Sequence, residues 1–155
     1  MTETIRANSA EQNEFITCRI GEEEYCVDIM TVREIRGWTP ATKLPHVPSF
    51  VCGVINLRGA VLPVIDLAAR LQLGSIEATA RHVIIIVQLR EQTVGLLVDA
   101  VSDILCAKEE EVHPTPSVAS ETAREFVSGL IMVDNRTIRI LNLERLVPEI
   151  ACEAA

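Results

Sequence analysis

The sequence predicts an all-β chain made of two related halves, each folding into a small barrel, and three observations carry that prediction. Apolar residues make up 48% of the 155 residues but aromatic residues only 3%, so aliphatic side chains must fill the core, and the β-branched Val and Ile among them favour strands. The chain also repeats itself, with two blocks of its first half recurring in the same order in its second. Finally, the apolar runs are short and bounded by turn signals, and no long amphipathic helix pattern covers them, which favours barrels or sandwiches.

Taken in order, Phe15–Ile20 and Tyr25–Asp28 read as two strands of a hairpin around the acidic turn Gly21-Glu22-Glu23-Glu24. Ile29, Val32 and Ile35 follow at helical spacing, which predicts one or two helical turns with Arg33, Glu34 and Arg36 on the polar side. A loop containing Pro40, Pro45 and Pro48 leads to the strand Val51–Leu57, a tight turn at Arg58-Gly59 and the strand Val61–Ile65. Asp66 then suits the N-cap of a short helix over Leu67–Leu71. The second half runs through the same series and ends with Asn142 capping Leu143–Val147. It is extended by Asp99–Leu105 and by Lys108-Glu109-Glu110-Glu111, and His113-Pro114-Thr115-Pro116 reads as an extended loop.

The repeat itself is ungapped in each block. When Phe15 is set on Ile84, Ile20 meets Leu89, Glu22 meets Glu91, Val27 meets Leu96, Val32 meets Val101, Glu34 meets Asp103 and Ile35 meets Ile104. With Gly53 set on Gly129, Ile55 meets Ile131, Gly59 meets Asn135, Val64 meets Ile140, Asp66 meets Asn142 and Leu67 meets Leu143. The second offset is longer, so the extra residues fall between the blocks, in a loop where insertion is tolerated. Gly59 and Asn135 are both residue types that accept a left-handed turn.

Charge and motif content narrow the function. The net charge of −8, with Lys43 and Lys108 as the only lysines, disfavours nucleic acid and anionic membranes as partners. Residues 1–14 are polar and lack a signal-peptide core, and the aliphatic run Val83–Val87 is far too short to span a bilayer, so a cytoplasmic protein is expected. The five cysteines, Cys18, Cys26, Cys52, Cys106 and Cys152, form no C-x-x-C pair and read as buried thiols. His46, His82 and His113 have neither metal-ligand nor nucleophile-signature spacing, and there is no phosphate-binding glycine loop. The acidic runs at 22–24 and 109–111 read as solvated turns. No catalytic residue, cofactor or metal is therefore expected; charges beside apolar strands point to protein docking, in which an apolar centre binds and rim charges select.

Three stretches then resemble the CheW family of chemotaxis coupling proteins: Val32-Arg33-Glu34-Ile35-Arg36-Gly37-Trp38, Asn56-Leu57-Arg58-Gly59-Ala60-Val61-Leu62-Pro63-Val64-Ile65-Asp66-Leu67, and Val94-Gly95-Leu96-Leu97-Val98-Asp99-Ala100-Val101-Ser102-Asp103. The similarity runs from about Phe15 to Pro148. It implies two pseudo-repeated, five-stranded SH3-like β-barrels sharing an aliphatic core, with a few short helices, as intertwined lobes over roughly 15–71 and 82–147. Residues 1–14 and 149–155 are then tails, the first of them disordered. The resemblance also implies a non-catalytic adaptor, largely monomeric when free, that joins the regulatory domain of the histidine kinase CheA to chemoreceptor cytoplasmic tips in membrane-associated arrays.

Carried over by position, Val32, Glu34 and Arg58 match the family's receptor-binding groove, and Gly95 and Val101 match its kinase-binding surface. Because Arg58 aligns with the acidic Asp134, a duplicated receptor groove is not expected. Two other classes remain to be excluded: a nucleic-acid-binding or other small barrel module, which the acidic charge disfavours, and a small hydrolase with a cysteine nucleophile, which would need an activated thiolate.

Overall fold

The computed structural model describes residues 12–116 and 121–147. Within them the chain forms β1 (Gln12–Ile20), β2 (Glu23–Asp28), β3 (Val32–Gly37), β4 (Val51–Leu57), β5 (Ala60–Asp66), α1 (Leu67–Arg70), β6 (Val83–Leu89), β7 (Gln92–Val98), β8 (Ala100–Lys108), β9 (Val112–His113), α2 (Glu121–Phe126), β10 (Val127–Val133), β11 (Arg136–Leu141) and α3 (Leu143–Leu146). Residues 1–11 and 148–155, including Cys152, lie outside this description, and β1 already occupies the last residues of the expected N-terminal tail.

The strands form two open mixed sheets, ordered β8-β1-β2-β11-β10-β9 and β3-β6-β7-β5-β4. Neither closes, so the expectation of two five-stranded SH3-like barrels is corrected. The reason lies at the edges where closure would occur. Thr42 bridges to Val54 on β4, and β9 pairs with Leu130 and Ile131 on β10, so these segments occupy the edge a closing strand would need.

The repeat explains the topology. The hairpin of each half joins the sheet of the other: β1 and β2 lie between β8 and β11, while β6 and β7 lie between β3 and β5. Replacing each strand by its repeat mate turns the five-strand order into β8-β1-β2-β11-β10, the first five strands of the larger sheet. Registers follow. Ile35 faces Ile85 as Ile104 faces Ile16, Val64 faces Gly95 as Ile140 faces Cys26, and Val51 faces Ile65 as Val127 faces Leu141.

Successive strand residues point to opposite faces, and here both faces are apolar. Ile85 and Val87 enter the large core between the sheets, while Ile84 and Ile86 enter a smaller core enclosed by their own sheet with Ile55, Leu62, Val64 and Leu97. The other sheet encloses Phe15, Cys26, Ala107, Ile131, Ile138 and Ile140 in the same way. Burial on both faces accounts for the unbroken aliphatic run at Val83–Val87.

Several local expectations change. The helical turns expected through Ile35 shrink to one 3-10 turn at Ile29–Thr31, whose cap Asp28 accepts from the Met30 N–H, and Val32–Gly37 is strand β3. Pairing with β6 overrides the local spacing, and burial alternates along β3 with a period of two. The turns at Arg58-Gly59 and Asp134-Asn135 are both present, but the left-handed residue of the second is Asp134 (φ 55°) and not Asn135. Of the expected loop His113–Pro116, His113 instead belongs with Val112 to a short strand, and 114–116 are loop. Both capping expectations hold, since Asp66 accepts from the Ala69 N–H and Asn142 from the Arg145 N–H. Among the described residues no helix is long and apolar enough to cross a membrane.

Candidate docking surfaces

Strand β3 and the β4–β5 turn bring Glu34 and Arg58 together. Arg58 sits at the head of the turn in a left-handed conformation (φ 51°), and the Gly59 N–H donates to the Asn56 side chain at 3.0 Å, which shapes the turn. From there Arg58 Nη2 donates to Glu34 Oε1 at 2.7 Å, while Arg36 Nη1 approaches Glu34 Oε2 at 3.4 Å. The Arg58 guanidinium beside Glu34 holds that carboxyl below its ordinary range. Arg58 is 71% exposed and Glu34 25%, so the carboxylate positions an outward-reaching cation.

The pair stands in a cleft of about 880 Å³ whose wall also includes Arg33, Val61, Gln88 and Arg90. Val61 is 61% exposed, an apolar side chain beside charges of both signs, with Glu91 also in the wall. Val32 is not part of this wall; the register of β3 on β6 shifts between it and Glu34, and it packs partly buried against the large core.

The equivalent place in the other half carries different chemistry. Glu34 and Arg58 become Asp103 and Asp134, and Ala60 becomes Arg136. Arg136 grips Glu24 with two hydrogen bonds of 2.9 and 2.7 Å, and Asp103 is tied through its side chain and N–H to the buried Thr17 hydroxyl. The Arg136 bond keeps the Glu24 carboxyl below its usual range. Arg139 lies over the Tyr25 ring, 5.4 Å from its centroid. Arg136 is thus paired with Glu24 and Asp103 with Thr17, and the position of Arg58 at the head of the turn is taken by an aspartate.

Gly95 and Val101 sit on different sheets. Gly95 is buried on β7 between β6 and β5, and a Cβ there would lie 2.7 Å from Ile84 Cγ2. Val101 is half-buried on the edge strand β8, opposite Cys18 and against the large core. Sequence reasoning missed Val61, because exposure within an apolar strand leaves no local signal, and the supporting contact of Arg36.

The thiols divide. Cys18 and Cys26 are fully buried and Cys52 partly so; burial pushes the Cys18 thiol up to about 12 and that of Cys52 to about 11, and raises Cys26 as well. Cys106 is exposed, against expectation, because β8 is an edge strand; its Sγ lies 3.7 Å from Glu14 Oε2. Its thiol is raised too, so no activated thiolate is found among the described cysteines. His82 accepts the Thr79 N–H at Nδ1 (2.9 Å) and has Nε2 3.4 Å from Asp99. Among the described residues no three His, Cys, Asp or Glu side chains are grouped to hold a metal ion.

Residues 14–151 match the model of the CheW-like domain family. Over its full length the chain is 53% identical to the whole of a probable chemotaxis protein CheW of Rhizobium etli. It is 52% identical to the chemotaxis protein CheW of Rhizobium meliloti, with 92% of each chain covered. Among solved structures it is similar to the scaffolding protein TtCheW of Thermoanaerobacter tengcongensis, with a TM-score of 0.79, 36% identity and 88% of each chain covered.

Proposed function

The chain belongs to the CheW family, and from that membership we propose that it is a non-catalytic scaffold of bacterial chemotaxis, coupling chemoreceptor cytoplasmic tips to the histidine kinase CheA so that receptors control kinase activity. The observation that supports a docking role most directly is the Glu34–Arg58 pair at 2.7 Å, standing over an open cleft with exposed Val61 beside it. An apolar contact flanked by a positioned, outward-reaching cation suits a helical partner presenting apolar and acidic side chains.

In this reading the receptor tip occupies the Glu34–Arg58 cleft, with Val32 supporting β3 from the core side. A second receptor groove is not expected in the other half, because Asp134 stands where Arg58 does, Arg136 is paired with Glu24 and Asp103 is tied to Thr17. The regulatory domain of CheA meets the second docking face through the β8 edge at Val101, and Gly95 serves it by letting β6 and β7 pack closely. The chain is largely monomeric when free and reaches membrane-associated arrays through these partners.

Co-purification with a CheA fragment containing the regulatory domain, and co-sedimentation with a receptor-tip fragment, test the reading. The parent binds both. Glu34→Lys or Arg58→Ala weakens receptor binding about tenfold or more, leaves CheA binding intact and moves stability by only about 0.5 kcal/mol, as for surface substitutions. Unchanged receptor binding in both variants would place the groove elsewhere; a parent that binds neither partner would end the adaptor reading.

A further inference from the structure

Helices α1 and α3 are repeat mates, each a single turn following the last strand of its half. So short a helix leaves its terminal carbonyls without intrahelical partners. For α3 these are met from the other half: Arg70, at the end of α1, donates from Nε to the Leu146 carbonyl at 2.8 Å and from Nη2 to the Arg145 carbonyl at 3.2 Å.

The same guanidinium lies between two rings, 4.4 Å from the centroid of Phe50 and 4.7 Å from that of Phe126. Phe50 immediately precedes β4 and Phe126 immediately precedes β10, so the rings are themselves repeat mates, one from each half. A single cation thus joins equivalent elements across the junction. The arrangement is not duplicated, because the repeat mate of Arg70 is Leu146, which is fully buried. Burial pulls the Arg70 pKa down from its usual value, in keeping with a cation taken partly out of water.

We propose that Arg70 is a conformational pin that locks α1 of one half to α3 of the other and thereby fixes the angle between the two sheets. Helix α1 continues from β5 and α3 from β11, so a contact between these helices is a contact between the sheets. Where the two faces dock different partners, the pin sets their mutual geometry; that consequence rests on the adaptor reading, whereas the pin does not.

The test uses the full chain with Arg70→Met, which keeps an apolar stem between the rings but removes the charge and the donors, and Arg70→Lys, which keeps the charge without the fork. In the parent, residual dipolar couplings from both sheets fit one alignment tensor. In Arg70→Met each sheet fits a tensor of its own, and the Leu146 and Val147 amides exchange with solvent at least tenfold faster relative to those of β6 and β7. Arg70→Lys supplies the same readout if the Met variant fails to fold. A single tensor for both sheets in the folded variant would overturn the proposal, whatever the exchange rates, because partner binding plays no part in the measurement.

Discussion

Replacing Gly95 by alanine and by aspartate separates a packing role from a direct docking role. An added Cβ would meet Ile84 Cγ2 at 2.7 Å and Ile86 Cδ1 and Val64 Cγ2 at 3.5 Å, and these three side chains are almost wholly enclosed. Overpacking of this kind destabilises by about 1–3 kcal/mol, so Gly95→Ala should fold, with its urea midpoint lowered by roughly 1 M for a chain of this size. Aspartate adds a carboxylate to an aliphatic pocket without a donor, and the effective penalty for an unpaired buried ion is several kcal/mol more. Against a total stability of about 5–15 kcal/mol, Gly95→Asp should be largely unfolded. The assay is urea unfolding followed by circular dichroism and Trp38 fluorescence, with binding to the CheA fragment measured at known folded fraction. Binding should fall in step with the folded fraction. A Gly95→Asp protein with the parent's midpoint and no affinity for the kinase would refute the packing argument and make the position a contact surface.

Gly53 has φ 148° and a Cβ there would lie 2.3 Å from the Thr42 carbonyl oxygen; Gly53→Ala should therefore break the Thr42–Val54 bridge and lower stability by about 2–4 kcal/mol, read from the thermal midpoint. The carboxyl of Glu24 has its pKa depressed by Arg136, so the pair's contribution is present above the unfolded value near 4.3 and is lost as pH falls through the lower folded value. Glu24→Gln should accordingly unfold at lower urea than the parent at pH 7, with the gap closing below about pH 4. Native alkylation at neutral pH, followed by peptide mapping, should label Cys106 well before Cys18 and Cys26, whose thiols are buried; equal rates would show that the cores open far more readily than their packing implies.

What was legible in the sequence was local or repeated. Asp66 and Asn142 announce their helices because an N-cap acts within its own turn. The match of Gly53 with Gly129 also has a local cause, since at both a crossing segment comes too close for a side chain: a Cβ would meet the Thr42 carbonyl in one half and Val112 Cγ1, at 2.9 Å, in the other. What failed depended on distant partners. Ile29, Val32 and Ile35 fit a helix as well as a turn plus strand, and only pairing with β6, some fifty residues onward, decides between them. The open sheets depended on Thr42 and β9 occupying the edges, and Cys106 on β8 having no outer neighbour. At the site, Glu34 and Arg58 were found through resemblance; their hydrogen bond across 24 residues of chain could not have been read from spacing.

Duplication usually yields two copies of one surface, and the topology here works against independence while the side chains work against identity. Because each half lends its hairpin to the other half's sheet, neither sheet can form from one half alone, so the two faces fold together. The residues exposed on the shared backbone have diverged at the proposed docking position: Arg58 reaches outward on one side, whereas on the other its counterpart Asp134 stands near an Arg136 already committed to Glu24. A scaffold must hold unlike partners at a fixed separation without exchanging them. Matching backbones supply the fixed frame, and under the proposed docking of the receptor tip at Arg58 the reversal from arginine to aspartate would disfavour the same tip at the second face through charge.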